Sequence, residues 1–133
     1  MRESLTLTCL FYWENLTPLL LLFSINIVLL IAGMFIDVNS AVILLVPLIY
    51  PAAMAVHLDP IHLGIIIVTN LSIGMITPPF GLNIFVGAAT FERSYASLIK
   101  PLIPFILISI AALMIITYIL TIALFFPKLM GLI

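Results

Sequence analysis

IGMITPPFGLNIFVG, residues Ile73–Gly87, lies inside an uncharged stretch bounded by Asp59 and Glu92. Two adjacent prolines, Pro78 and Pro79, and three glycines, Gly74, Gly81 and Gly87, interrupt it. As one straight helix, Ile61 to Phe91 would run about 46 Å at 1.5 Å per residue, against a hydrocarbon core of about 30 Å. Neither proline has an N–H to donate, each disfavours helix in the residue before it, and Gly81 frees the backbone just after. The segment therefore reads as two half-helices of about fifteen residues around an unwound centre.

Composition sets the solvent. The chain has 133 residues, of which 65% are hydrophobic and 7% charged, and its mean hydropathy is +1.46. Those values belong to an integral membrane protein. A net charge of -1 gives no support for nucleic-acid binding, and the one cysteine, Cys9, excludes an intrachain disulfide and a multi-cysteine metal site. No Ser/His/Asp grouping, paired carboxylate or phosphate loop supports an enzyme, and no catalytic residue is assigned.

Two further apolar segments precede the broken one. The first runs from about Pro18 to Ile36 and ends in the polar patch Gly33–Ser40; the second runs from Ala41 to Val56 and contains Pro47 and Pro51. Each reads as too short or too interrupted for an independent span of about twenty residues. Joined by a tight polar tip they make a re-entrant hairpin, residues 23–56, whose non-helical backbone must be surrounded by protein or water. The loop Val56–His62 follows. His57, Asp59 and His62 could be drawn as a metal site, but a polar turn around Pro60 needs residues of this kind. The last segment, residues 101–126, reads as an uninterrupted span with Thr117 and Thr121 as its few polar members. Arg93 and Lys100 put the 92–100 connection in the cytoplasm by the positive-inside tendency.

An unwound helix in a membrane exposes backbone groups that cost several kcal/mol if unpaired. Half-helix N-termini attract anions; half-helix C-termini and loop carbonyls hold cations. The two breaks carry hard oxygen and amide groups, suited to sodium and not to a soft transition metal. The ion- and substrate-binding set expected from them is Gly33, Asp37, Asn39, Ser40, Asn70, Gly74, Thr77, Pro78, Pro79, Gly81 and Asn83, with no metal beyond the sodium site. Asp37 is compatible with two roles, ion ligand or cap of the second arm. Gly64, Gly74 and Gly87 also suit close helix packing.

GMFIDVNSAVILLVPLIYPAAMAVHLDPIHLGIIIVTNLSIGMITPPFGLNIFVG, residues Gly33–Gly87, resembles the C-terminal part of the large membrane subunit of tripartite ATP-independent periplasmic (TRAP) transporters. The resemblance rests on Gly33 with Asp37, then Asp59, Pro60, His62 and Gly64, then Asn70, Leu71, Ile73, Gly74, Thr77, Pro78, Pro79 and Gly81. It implies an all-α membrane protein: a re-entrant hairpin, a discontinuous transmembrane helix (residues 61–91) and a final transmembrane helix, the C-terminal repeat of an elevator-type transporter. The implied function is sodium-coupled import of organic anions of the C4-dicarboxylate or sialic-acid type across the bacterial inner membrane. The implied partners are a periplasmic substrate-binding protein, a small membrane subunit, the N-terminal half of the large subunit and the lipid bilayer. No arginine lies in the membrane-embedded part, so a clamp for the substrate carboxylate is expected from that other half.

Residues 17–133 carry the family pattern, and residues 1–16 are read as an atypical N-terminal segment: an artificial start, a frameshift or a split-gene junction. The first repeat is expected to be missing, so that this chain alone transports nothing. The competing expectation is a small stand-alone membrane protein with an assembly or regulatory role, or an inactive remnant.

Overall fold

The structure, a computed structural model, describes residues 18–131. The segment 1–16 and Cys9 lie outside the described residues. Six helices follow one another, with no strand among the described residues. They are α1 (Pro18–Phe35), α2 (Val38–Ala55), α3 (Pro60–Gly74), α4 (Leu82–Thr90), α5 (Tyr95–Tyr118) and α6 (Leu120–Leu129). By length and composition α1, α2 and α5 can each cross a membrane.

Helix α1 fills its expected segment with 18 residues, and α2, also 18 residues, is longer than the sequence suggests; each is long enough to cross a membrane. The polar patch between them is mostly helical: Gly33–Phe35 complete α1 and Val38–Ser40 begin α2, leaving Ile36 and Asp37 as the connection. The cause is local. Asp37 is in an extended conformation and its side chain caps α2, so the new helix starts at once. Helix α2 runs on through Pro47 and Pro51. It closes with Leu58 N–H donating to Ala53 O and His57 N–H to Met54 O, both at 3.0 Å. His57, at φ 56°, takes the left-handed position glycine usually fills in this motif.

The broken segment divides into α3, of 15 residues, and α4, of only 9. Pro60 occupies the first helical position of α3, where its missing N–H costs nothing. The last span departs most from expectation. It starts at Tyr95 instead of Pro101, absorbs Pro101 and Pro104, and breaks at Ile119, where φ is −105° and ψ is 88°.

The packed centre is the crossing of α1 and α3. Leu21, Ile25 and Leu29, four residues apart, present one stripe of α1 to Leu63, Ile66, Ile67 and Leu71 of α3. Ala41, Ile49 and Ala53 of α2 close the cluster from the side. Apolar side chains also cover the outside: Ile43 is 78% and Leu129 72% exposed. Lipid, not water, is the solvent that tolerates such a surface.

Candidate functional site

Both helix breaks meet at one place. Gly33, near the end of α1, faces Gly74, the last residue of α3, with no room for a side chain between them. A β-carbon on Gly74 would stand 2.7 Å from the Gly33 Cα and carbonyl carbon, and one on Gly33 would stand 2.8 Å from the Leu71 oxygen. Two residues past Gly33, the Phe35 ring rests on Phe80 with centroids 4.7 Å apart. The hairpin tip is thus seated on the unwound segment by a backbone contact on one side and an aromatic contact on the other.

At the tip, Asp37 Oδ2 accepts from Asn39 N at 3.0 Å and from Ser40 N at 3.4 Å. The carboxylate also sits against the positive end of the α2 dipole. Oδ2 is engaged as a cap, and the Ser40 side chain also bonds to the carboxylate. Asn39 and Ser40 are exposed beside it. The geometry shows the capping role of Asp37 directly.

The unwound segment Met75–Gly81 is held by a short set of bonds. Ile76 N–H donates to Ile73 O and Thr77 N–H to Gly74 O, at 3.1 and 3.0 Å, so α3 ends in a tightened turn. Gly81 N–H returns to Thr77 O at 3.1 Å, and Asn83 N–H reaches back across the gap to Met75 O at 3.1 Å. Gly81 is required sterically: a β-carbon there would meet Met75 O at 2.8 Å and Thr77 O at 3.0 Å. Thr77 is buried, and its hydroxyl donates to Ile73 O at 2.7 Å, which leaves the lone pairs of Oγ1 free to face a cation. Among the described residues the carbonyls of Ile76 and Pro78 accept no hydrogen bond. The Pro79 carbonyl is occupied, by the Tyr95 hydroxyl at 2.6 Å.

Two residues of the expected set point elsewhere. Asn70 is fully buried, and its Nδ2 donates to Asn26 Oδ1 at 2.6 Å and to Ile66 O at 2.9 Å. Asn26 Nδ2 in turn donates to Leu22 O at 2.9 Å and lies 3.2 Å from Thr117 Oγ1. Asn26, Asn70 and Thr117 thus tie α1, α3 and α5 together, as amide and hydroxyl groups do between membrane helices. Asn83 lies in an apolar groove of about 320 Å³ between α4 and α5, with Ile76, Leu98, Pro101 and Leu102. Asn26 was the residue that sequence reasoning missed. An amide in the middle of PLLLLFSINIVLLIAGMF was the available signal, since it has to find a partner in a membrane.

The residues that could be drawn as a metal site have separate duties. Asp59 Oδ1 caps α3, accepting from Ile61 N at 2.8 Å and His62 N at 3.3 Å. His57 is exposed at the end of α2. His62 is buried, with Nε2 at 2.9 Å from Ile116 O. A carbonyl only accepts, so Nε2 carries the proton and Nδ1 is left without a partner. Ile116 is in the last turn of α5, where the break at Ile119 strands backbone carbonyls, and His62 satisfies one of them. Among the described residues no group of three or more His, Cys, Asp or Glu could hold a metal ion.

Among the described residues this is an all-helical membrane protein in which two helix breaks, at Ile36–Asp37 and Met75–Gly81, are seated on each other. Comparison with known proteins agrees with that class and narrows it. The family model described as tripartite ATP-independent periplasmic transporter, DctM component, matches residues 5–122. That match includes part of the segment the sequence reading set apart as atypical. The C4-dicarboxylate TRAP transporter large permease protein DctM of Pseudomonas aeruginosa is 43% identical over 117 residues, 88% of this chain and 27% of that protein. The isethionate TRAP transporter permease protein DctMQ of Oleidesulfovibrio alaskensis is 41% identical over 106 residues, 80% of this chain and 17% of that one. The sialic acid TRAP transporter large permease protein SiaM of Vibrio cholerae is 39% identical over 87 residues, 65% of this chain and 20% of that protein. No solved structure matches significantly. The chain belongs to the DctM family of TRAP transporter permeases. It spans about a quarter of the length of the C4-dicarboxylate relatives it matches.

Proposed function

We propose that this chain supplies the C-terminal part of the large subunit of a sodium-coupled TRAP transporter. The hairpin α1–α2 is re-entrant, α3 and α4 form the discontinuous crossing helix, and together they move as part of an elevator-type transport domain in the bacterial inner membrane. The substrate is an organic anion of the C4-dicarboxylate or sialic-acid type, as the names of the relatives suggest. A periplasmic binding protein delivers it, and a small membrane subunit with the N-terminal half of the large subunit completes the permease. Alone, the chain does not transport.

One observation carries this reading. The carbonyls of Ile76 and Pro78 and the hydroxyl of Thr77 have acceptor capacity left over, in an unwound segment against which the hairpin tip is packed. Ile76 and Pro78 are half-buried, and carbonyls without a partner in an unwound membrane segment need an ion or water to satisfy them. Oxygen ligands of this kind suit sodium. At the N-terminal end of α4 the N–H groups of Asn83 and Ile84 are bonded to Met75 O and Gly81 O, and that of Leu82 is left to meet a substrate carboxylate at the positive end of the helix. Asp37, Asn39 and Ser40 complete the polar surface from the tip.

The test is uptake of a labelled C4-dicarboxylate, and of labelled sialic acid, into proteoliposomes holding the full permease and its binding protein. Each coupled sodium ion turns a tenfold inward sodium gradient into roughly tenfold accumulation, because 1.4 kcal/mol is a factor of ten. Accumulation with sodium and none with potassium is the expected result for one of the two anions. Equal accumulation with both cations would remove sodium coupling from the account.

A further inference from the structure

Tyr95 stands outside both breaks, in the first turn of α5, yet two separate contacts tie it to the unwound segment. Its hydroxyl donates to Pro79 O at 2.6 Å. Its ring stacks on Phe85 of α4 with centroids 4.6 Å apart and planes inclined by 27°. The first contact holds the middle of the unwound segment, the second holds the half-helix that follows it. Pro78 and Pro79 have no N–H of their own, so the segment is poor in internal bonds and its carbonyl directions are set from outside.

From these contacts we infer that Tyr95 is the positioning residue of the break. By bonding the Pro79 carbonyl it fixes the Pro79–Phe80 peptide plane, and so steadies the unwound segment that carries the Ile76 and Pro78 carbonyls. It also ties the break to the Glu92–Ser94 connection that immediately precedes α5. Movement of that connection is then transmitted to the ligands. The consequence for sodium rests on the transport reading; the bracing of the break does not.

Tyr95→Phe isolates the hydroxyl, because it keeps the ring that stacks on Phe85. Two readouts separate the inference from the transport reading. The first is the rate at which a maleimide labels Ile84→Cys, a buried position in the first turn of α4, in the full permease with Cys9→Ser. The second is the sodium concentration giving half-maximal uptake. Losing one hydrogen bond to an exposed backbone carbonyl corresponds to roughly a two- to tenfold change in either quantity. The expected result is labelling faster by that factor and a half-saturating sodium concentration higher by that factor, with maximal uptake within about twofold of wild type. Unchanged labelling would overturn the inference whatever uptake does. Faster labelling with an unmoved sodium curve would remove Tyr95 from cation positioning. If wild-type uptake proves independent of sodium while Tyr95→Phe still speeds labelling, the bracing stands and the sodium reading falls. Tyr95→Leu, which also removes the stacking, is expected to speed labelling further; no additional increase would confine the brace to the hydroxyl.

Discussion

Gly74→Ala is expected to destroy the crossing of α1 and α3 and with it the folded transport unit. The added β-carbon would lie 2.7 Å from Gly33 Cα and 2.8 Å from Leu30 O, all backbone atoms that cannot rotate away. Overpacking a core with one methyl group costs about 1–3 kcal/mol when side chains can yield. Here only whole helices can move, so the cost is placed at about 3 kcal/mol or more, a large part of the stability of a domain. Helices α1 and α3 would separate, and Phe35 would lift from Phe80. The check is thermal unfolding of the purified permease followed by size-exclusion chromatography, with Gly64→Ala as the control. Nothing lies within 4 Å of a β-carbon at Gly64. That substitution should be neutral or stabilise α3 by roughly 0.5–1 kcal/mol through lost backbone freedom. Equal behaviour of the two variants would show that the Gly33–Gly74 contact is not what seats the tip.

Asp37 offers the second large effect, and a pair of substitutions separates its two roles. Asp37→Ala removes both the cap on Asn39 N and Ser40 N and the charge. Loss of the cap alone costs about 1 kcal/mol of helix stability. Asp37→Ser keeps a capping oxygen and removes only the charge. If the second carboxylate oxygen faces the cation, both variants should raise half-saturating sodium by about ten- to a hundredfold, the factor that 1.5–3 kcal/mol of a charge-assisted contact implies. Should Asp37→Ser transport with the sodium dependence of the wild type while Asp37→Ala unfolds, Asp37 is a cap and the tip acts through its backbone.

What the sequence made legible was the local chemistry of interruption. Pro78, Pro79 and Gly81 announce their break by what they cannot do, namely donate a bond or restrict the backbone. Asp37 with Asn39 and Ser40 likewise announces a helix start. Contacts between distant elements were not legible. Gly74 read equally well as backbone for a site or as a packing residue, and only its partner Gly33 shows the steric need. Gly64, given the same packing role, meets nothing in this chain. Asn70 matched a motif beside the break, but a partner 44 residues away, Asn26, draws its amide into the helix packing. The break at Ile119 has no proline or glycine to mark it. It is supported from α3, by the ring of His62 on Ile116 O. Tyr95 lies beyond the segment whose geometry it sets, so no local pattern could assign it to the break.

The central claim is that the unwound segment Met75–Gly81 forms part of a cation site. The most direct measurement is a sodium titration of uptake by Thr77→Ala in the complete permease. Thr77 Oγ1 is the one side-chain oxygen inside the segment, it is buried, and its donor is already spent on Ile73 O. Removing it deletes a ligand and leaves the backbone bonds of the break in place. Roughly a tenfold or greater rise in half-saturating sodium, with the protein assembled as in the wild type, is the predicted result. A titration that superimposes on the wild-type curve would contradict the claim.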